Sequence, residues 1–306
     1  MITEDQRKER VGYLGGSDSA AAMGLSRWGT PLSVWAEKTG QILRRDLDSE
    51  AVELGRELED YVARRFTKKT GKELHRVNET LFHPKYPFLA ANIDRRVVGE
   101  KAIFEAKVTG AFKAREWEQD QVPMEYLIQC QHYLAVTGAE RAYIACLVGN
   151  RDFVWKTIER DDRALADLVE REVSFWNDFV VTKVMPMTFK AWDKGTLGDL
   201  FPEAAEGKTV ELEGTAAATC EVLEGMEEDL KALERQIDEQ KNTLRAMMGD
   251  ADTGTVGPWK VRWQNVKTRR LDMDALKKGA PDIFEQYRKE TLSRKFLISK
   301  VEAANG

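Results

Sequence analysis

Apolar residues recur at three- and four-residue intervals in some stretches of the chain and at two-residue intervals in others, and the changes of period divide it into elements. After Gly15-Gly16-Ser17-Asp18, the run Ser19-Ala20-Ala21-Ala22-Met23 reads as a short helix entered from a loop. Thr30-Pro31 is a second start signal, with proline at the first helical position, and Gly40 closes that segment. Ser49 is placed to cap a longer helix over 50–70, where Val52, Leu58, Val62 and Phe66 keep roughly helical spacing up to Gly71. The period then changes. Residues 88–94 and 102–108 read as strands joined by a two-residue turn at Gly99-Glu100. A helix over 126–136 ends at Thr137-Gly138, and a second hairpin runs through 142–148, Gly149-Asn150 and 153–155. Asp161 or Asp162 starts a helix reaching about Val181.

Residues 183–208, carrying Pro186, Gly195, Gly198, Pro202 and Gly207, read as a linker. Beyond it, Leu223, Met226, Leu230, Leu233, Ile237, Leu244 and Met247 follow 3-4 spacing with a polar interruption at Gln240, a coiled-coil-like seam that needs a partner helix or the body of the first domain as its cover. Trp259, Val261 and Trp263 alternate as a strand, Asp272 can cap a helix through Ala275-Leu276, and residues 296–298 read as a last strand. The pattern predicts a domain over 1–205 and a second over 206–306, an acidic long helix followed by a basic β/α tail.

Composition narrows the function classes. With 306 residues, 42% hydrophobic and 32% charged, the chain can bury a core, and no run of 18 apolar residues could span a bilayer. No apolar stretch backs the charged residues of 1–10, so a secretory signal is not expected and the cytoplasm is. Cys130, Cys146 and Cys220 are too widely spaced for paired-thiolate motifs, and His75, His83 and His132 do not stand at ligand spacing. Structural zinc and an iron–sulfur cluster are therefore disfavoured, and any metal is held by carboxylates. The net charge of −5 conceals two opposed blocks. Residues 206–251 hold 12 acidic and 5 basic residues, and residues 255–300 hold 5 acidic and 12 basic. The basic block reads either as a phosphate-contacting surface or as a solvated face paired with the acidic helix.

The first hairpin carries the chemistry. A two-residue turn at Gly99-Glu100 sets Asp94 opposite Glu105, where facing Cβ atoms are about 4.5–5.5 Å apart and two like charges repel unless a cation lies between them. Strand alternation puts Lys107 on the same face as Glu105. Both carboxylates interrupt apolar runs, where uncompensated charge is costly; an exposed hairpin face with a salt bridge is the plain alternative. Hard oxygen ligands suit Mg²⁺ or Mn²⁺, and the reaction class is phosphodiester hydrolysis. Asp94, Glu105 and the backbone carbonyl of Ala106 are the expected metal ligands, with Lys107 orienting or deprotonating the attacking water and offsetting transition-state charge.

Asp94, ten intervening residues and then Glu105-Ala106-Lys107 resembles the PD-(D/E)XK nuclease core, without the eponymous proline, since Asn92-Ile93 precedes Asp94. The surroundings resemble the YqaJ-type viral recombinase nucleases related to phage lambda exonuclease over about residues 8–185. Arg10 to Ser17, Arg-Val-Gly-Tyr-Leu-Gly-Gly-Ser, resembles the family's N-terminal signature, in which the arginine and serine meet the 5′-phosphate of a DNA end. Gly55-Arg56-Glu57-Leu58-Glu59 resembles the first-helix motif whose second glutamate completes the metal site, and Gln129-Cys130-Gln131 resembles the helix with an active-site glutamine. The resemblance thus adds Glu59 and Gln131 to the catalytic set, and Arg10 and Ser17 as substrate-binding residues. Ser17 and the amides after Gly15-Gly16 also stand at an expected helix N-terminus, which attracts phosphate.

The resulting expectation is an α/β fold with a PD-(D/E)XK restriction-endonuclease-like core, a mixed central sheet flanked by helices, and a C-terminal coiled-coil and small β appendage. The activity implied is that of a Mg²⁺- or Mn²⁺-dependent alkaline 5′-to-3′ exonuclease on double-stranded DNA ends, leaving 3′ single strands for phage-type recombination in a bacterial host. The resemblance further implies a ring-shaped homo-oligomer, a trimer, working with a single-strand annealing recombinase. A structure-specific or nicking endonuclease uses the same core. A DNA-binding or scaffold protein is the non-enzymatic alternative. The tail has no counterpart in lambda exonuclease. Its Trp259-Lys260-Val261-Arg262-Trp263 segment, with Lys267, Arg269 and Arg270, reads as a contact for nucleic acid or a recombinase, or as two tryptophans packed on the acidic helix.

Overall fold

The computed structural model describes residues 10–43, 50–119 and 121–300, in two compact units, Met1–Pro202 and Glu203–Gly306. Ser49, expected as a helix cap, and the charged residues 1–9 lie outside the described residues.

In the first unit, the hairpin foreseen around Gly99-Glu100 forms the centre of a five-stranded sheet. Strands β5 (Arg95–Val97) and β6 (Ala102–Thr109) pair antiparallel, Arg95 opposite Phe104 and Arg96 opposite Ile103, with Gly99 at φ +76° in the turn. That is the register in which Asp94 precedes the ladder across from Glu105. Strand β6 runs parallel to β7 (Arg141–Val148), which returns antiparallel as β8 (Asp152–Glu159), and β2 (Leu74–Arg76) closes the other edge. The order β2-β5-β6-β7-β8 has one parallel pair, so the sheet is mixed.

The single strand expected over 88–94 is only half formed: residues 92–94 lie in no strand, and β5 of the central sheet begins at Arg95. Its first half is β4 (Leu89–Ala91), which lies between β1 (Leu14–Gly15) and β3 (Leu81–Phe82) in a small separate sheet. All three β4 residues are buried there, with partners on both sides, while exposed Asn92 leaves the ladder and accepts a hydrogen bond from the Thr80 hydroxyl at 2.8 Å. Asp94 therefore stands where the chain passes from one sheet to the other.

Helices cover both faces of the central sheet. On one face α3 (Glu50–Thr70) packs Val62, Ala63 and Phe66 against Val97, Phe104 and Tyr143. On the other lie α1 (Gly16–Ala22), α2 (Pro31–Lys38), α4 (Met124–Thr137) and α5 (Asp162–Phe175), with Leu134 and Tyr133 in the cluster that holds Ile103, Ile144 and Cys146. Because strand side chains alternate, Ile103 and Phe104 point to opposite faces, and Glu105 and Lys107 follow Ile103 toward α4. Thr30 caps α2 by accepting from the Ser33 amide at 3.0 Å, Asp161 caps α5, and Gly138 ends α4 at φ +67°. Helix α1 starts at Gly16, so Ser17 and Asp18 are helical rather than in the loop. Glycine is required at 16 because a Cβ there would lie 2.5 Å from Tyr133 Cε1.

A fully buried polar cluster ties this layer together. The Ser19 hydroxyl donates to Glu172 Oε1, which also lies 2.7 Å from His132 Nδ1, while His132 Nε2 donates to the Ala90 carbonyl at 2.9 Å. Burial opposes protonation of His132, but the Glu172 charge and the hydrogen bonds to Glu172 and Ala90 outweigh it and raise its pKa.

The helix foreseen to about Val181 does reach it, its end Trp176–Val181 being π-helical. One expectation at the end of this unit needs correction. The stretch read as linker contains α6 (Asp193–Leu200), anchored by Asp193, which is buried and accepts from the Thr30 hydroxyl and the Lys190 amide. The long-range bond from Thr30 and the local one from Lys190 override the breaker signal of Gly195 and Gly198.

The second unit comprises α7 (Ala216–Met248), a hairpin of β9 (Thr253–Val256) and β10 (Trp259–Arg262), and two short helices, α8 (Met273–Gly279) and α9 (Pro281–Tyr287). Asp272 caps α8 through the Ala275 amide at 2.9 Å. Residues 296–298 form no strand, because no other described segment offers them a ladder. Trp259 and Trp263 are exposed at 72% and 50%, so the packed-tryptophan reading of the tail is not what the structure shows. No helix among the described residues is long and apolar enough to cross a membrane.

Candidate active site

Where β5 stops pairing, the Asp94 side chain replaces the missing ladder partner: its Oδ2 accepts from the Ala106 amide at 2.7 Å. Beside it Glu105, 4% exposed, receives two hydrogen bonds on Oε1, from Lys107 Nζ at 2.8 Å and Gln129 Nε2 at 2.9 Å. Glu105 Oε2 is buried with no hydrogen-bond partner among the described residues. Lys107 Nζ also donates to Gln129 Oε1 at 3.1 Å and lies 4.8 Å from the centre of the Tyr126 ring. Gln129 Nε2 completes its set with the Tyr133 hydroxyl at 2.9 Å.

Electrostatics reflect this crowding. Burial, then the charges of Glu105 and Glu59, push the Asp94 carboxyl well above the usual range. Burial likewise raises Glu105, against the opposing pull of Lys107. Burial works to deprotonate Lys107, but Glu105 and Asp94 overcome it and hold the ammonium charged. The cluster thus contains more negative charge than one lysine neutralises, and one aimed, unpartnered carboxylate oxygen. That is the environment a hard divalent cation relieves, and Asp94, Glu105 and the Ala106 carbonyl supply suitable oxygen donors.

Glu59 stands at the margin of this cluster. Its charge reaches Asp94 and Glu105, but Oε1 is engaged by Arg95 Nη1 at 2.8 Å and Arg76 Nη2 at 3.4 Å, and Arg95 also pairs with Asp60. Among the described residues no three His, Cys, Asp or Glu side chains converge as a ready-made metal cage.

Gln131 is not brought into the cluster. Its Nε2 donates to the Glu159 carbonyl at 2.9 Å at the end of β8. The glutamine that touches Glu105 and Lys107 is Gln129, because two helical residues turn the side chain about 200° around α4. The signal that selects Gln129 is its spacing from Tyr126 and Tyr133, three and four residues away on one helix face.

The residues expected at the DNA end sit together around one buried ion pair. Lys38 Nζ bonds Asp18 Oδ2 at 2.7 Å and the Arg10 carbonyl at 2.8 Å. Asp18 Oδ2 also accepts from the Gly15 amide at 3.1 Å. The Arg10 Nε is buried with no hydrogen-bond partner among the described residues. Ser17 is exposed and lines a pocket of about 260 Å³ together with Trp28, Tyr126 and Gln129; Asp94, Glu105 and Lys107 do not line it.

Comparison with known proteins agrees with this architecture. The YqaJ-like viral recombinase domain matches residues 5–140. The uncharacterized protein YqaJ of Bacillus subtilis (strain 168) is 38% identical over 304 residues, covering 98% of this chain and 95% of its own. Among solved structures, an alkaline exonuclease from Laribacter hongkongensis superposes with a TM-score of 0.51 at 20% identity, over 65% of this chain and 100% of that one, a likeness of fold. With near full-length identity at this level, on top of the domain match, the chain belongs to the YqaJ-like viral recombinase family.

Proposed function

We propose that the chain is a divalent-metal-dependent deoxyribonuclease that digests linear duplex DNA from the 5′ end and leaves 3′ single strands for recombination. The observation that carries this reading is the buried cluster of Asp94, Glu105, Lys107 and Gln129, with its unpartnered Glu105 oxygen, on a fold like that of an alkaline exonuclease.

In this reading Asp94, Glu105 and the Ala106 carbonyl would hold Mg²⁺ or Mn²⁺, and Glu59, here engaged by Arg95 and Arg76, would complete the set. When bound, the cation polarises the phosphodiester and acidifies a water molecule. Lys107, kept protonated by its two carboxylate neighbours, serves as a fixed positive charge that positions the water and offsets charge on the phosphoryl oxygens. Gln129 locks Glu105 and Lys107 in their mutual geometry through both ends of its amide. Arg10, whose Nε has no hydrogen-bond partner among the described residues, and exposed Ser17 beside the pocket recognise the 5′-phosphate.

The test compares linear duplexes bearing 5′-phosphate or 5′-hydroxyl ends with covalently closed circles, in Mg²⁺, in Mn²⁺ and in EDTA. Metal-dependent loss of the 5′-phosphorylated linear DNA, abolished by Asp94→Ala and Lys107→Ala with duplex binding retained, is expected. Nicking of the closed circle would establish the endonuclease instead, and binding without cleavage in either metal would establish a DNA-binding protein.

A further inference from the structure

Helix α7 has 33 residues, about 50 Å at 1.5 Å per residue, and none of them is buried. Its apolar positions fall in a heptad frame. Leu223, Leu230, Ile237 and Leu244 occupy one seam position, and Met226, Leu233, Gln240 and Met247 the other. From Met226 to Met247 the apolar seam residues are 41–78% exposed. A seam this long is costly to leave in water.

We propose that α7 pairs with α7 of a second copy of this chain as an antiparallel two-stranded coiled coil. Charge decides the direction. The flanking positions hold Glu227, Glu234 and Lys241 on one side of the seam and Asp229, Gln236 and Thr243 on the other. A parallel pair sets Asp229 beside the partner's Glu234 twice, a repulsion on each side with no attraction of that kind to offset it. An antiparallel pair centred on Arg235 sets Glu227 beside the partner's Lys241 at both ends, and leaves one Glu234 contact with its own copy at the two-fold axis. Lys241 now leans on Asp238 of its own helix at 3.2 Å, an exposed pair of little energetic consequence and readily exchanged.

The same direction suits the distribution of charge along the helix. Residues 216–231 hold five acidic residues and one basic, and residues 232–248 hold three of each. Antiparallel pairing places the acidic half against the balanced half, and parallel pairing places it against itself. Seven apolar seam residues per helix, at about 100 Å² each, bury on the order of 1,400 Å² in total, which lies in the range of specific stable interfaces. Leu233 then meets the partner's Ile237 on either side of the centre, and Gln240 meets the partner's Leu230 in two symmetry-related polar layers that fix register.

Cysteine cross-linking of the full chain tests this directly. Cys220 lies on α7 and is replaced by serine; Cys130 and Cys146 are buried and stay. In that background Leu233→Cys and Ile237→Cys are made as separate proteins. Facing positions bring Cβ atoms into disulfide range, so a mixture of the two is expected to cross-link on oxidation while each protein alone does not. Leu230→Glu with Ile237→Glu is expected to halve the mass measured by light scattering. Self-linking of either single-cysteine protein would show a parallel pair and overturn the proposal. So would an unchanged mass for the glutamate variant accompanied by a lower melting temperature of the first unit, which would show that the seam is covered from within the chain.

Discussion

Replacing Gln129 by alanine separates the geometry of this site from the family signature. The side chain makes three hydrogen bonds, to Glu105, Lys107 and the Tyr133 hydroxyl, at 2.9, 3.1 and 2.9 Å. Its loss frees Lys107 to move about Glu105 and strands the buried Tyr133 hydroxyl. A stranded buried polar group costs about 1–3 kcal/mol, so the variant should remain folded with a stability loss of about 2–3 kcal/mol. Residues that orient metal ligands change activity by about 10- to 100-fold when removed, and kcat should fall by that factor with KM nearly unchanged, because Gln129 acts through Glu105 and Lys107 and does not hold the DNA. Gln131→Ala removes one hydrogen bond to the Glu159 carbonyl, worth about 1 kcal/mol, and should leave kcat within a factor of two. The assay is release of acid-soluble nucleotide from 5′-phosphorylated duplex, with circular dichroism melts of both variants as controls. A folded Gln131→Ala protein that loses more activity than Gln129→Ala would refute the reasoning.

Two further predictions concern stability. Glu172→Ala strips the partner from fully buried His132 and Ser19 and should cost about 3–5 kcal/mol, read in urea melts. Since the folded pKa of His132 is raised, the native state holds the proton more tightly; the pair's contribution is complete below the unfolded value of about 6.5 and fades as pH climbs through the folded value, so the gap between wild type and variant should be wider at pH 6 than at pH 9. Gly16→Ala forces a methyl to within 2.5 Å of Tyr133 Cε1 and should destabilise by about 1–3 kcal/mol, with Gly55→Ala, which meets nothing within 4 Å, as the harmless comparison in thermal melts.

Local chemistry made several features readable in advance. A glycine in the tight turn at 99 and alternation along β6 are properties of neighbours in sequence, so the hairpin register and the shared face of Glu105 and Lys107 followed from spacing alone. Helix caps at Thr30, Asp161 and Asp272 were readable for the same reason: each bonds an amide two or three residues away. The heptad seam of α7 was equally plain, since 3-4 spacing is a property of one helix.

What required the tertiary structure always involved partners distant in the chain. Whether Gln129 or Gln131 faces Glu105 depends on how α4 is rotated against the sheet, and packing of Tyr133 against Gly16 is one of the contacts that set that rotation. The placing of residues 89–91 in a separate sheet depends on β1 and β3 pairing with the two edges of β4, and neither two-residue strand announces itself by periodicity. The hold of Arg95 on Glu59 and the pairing of Lys38 with Asp18 join residues distant in the chain, and the second buries a charge pair. Sequence by itself determined the elements and the chemical identity of the carboxylate–lysine motif, because those depend on nearest neighbours along the chain. Only the tertiary structure decided which amide, which arginine and which buried oxygen meet that motif, because burial and long-range packing select among side chains that are equivalent by spacing.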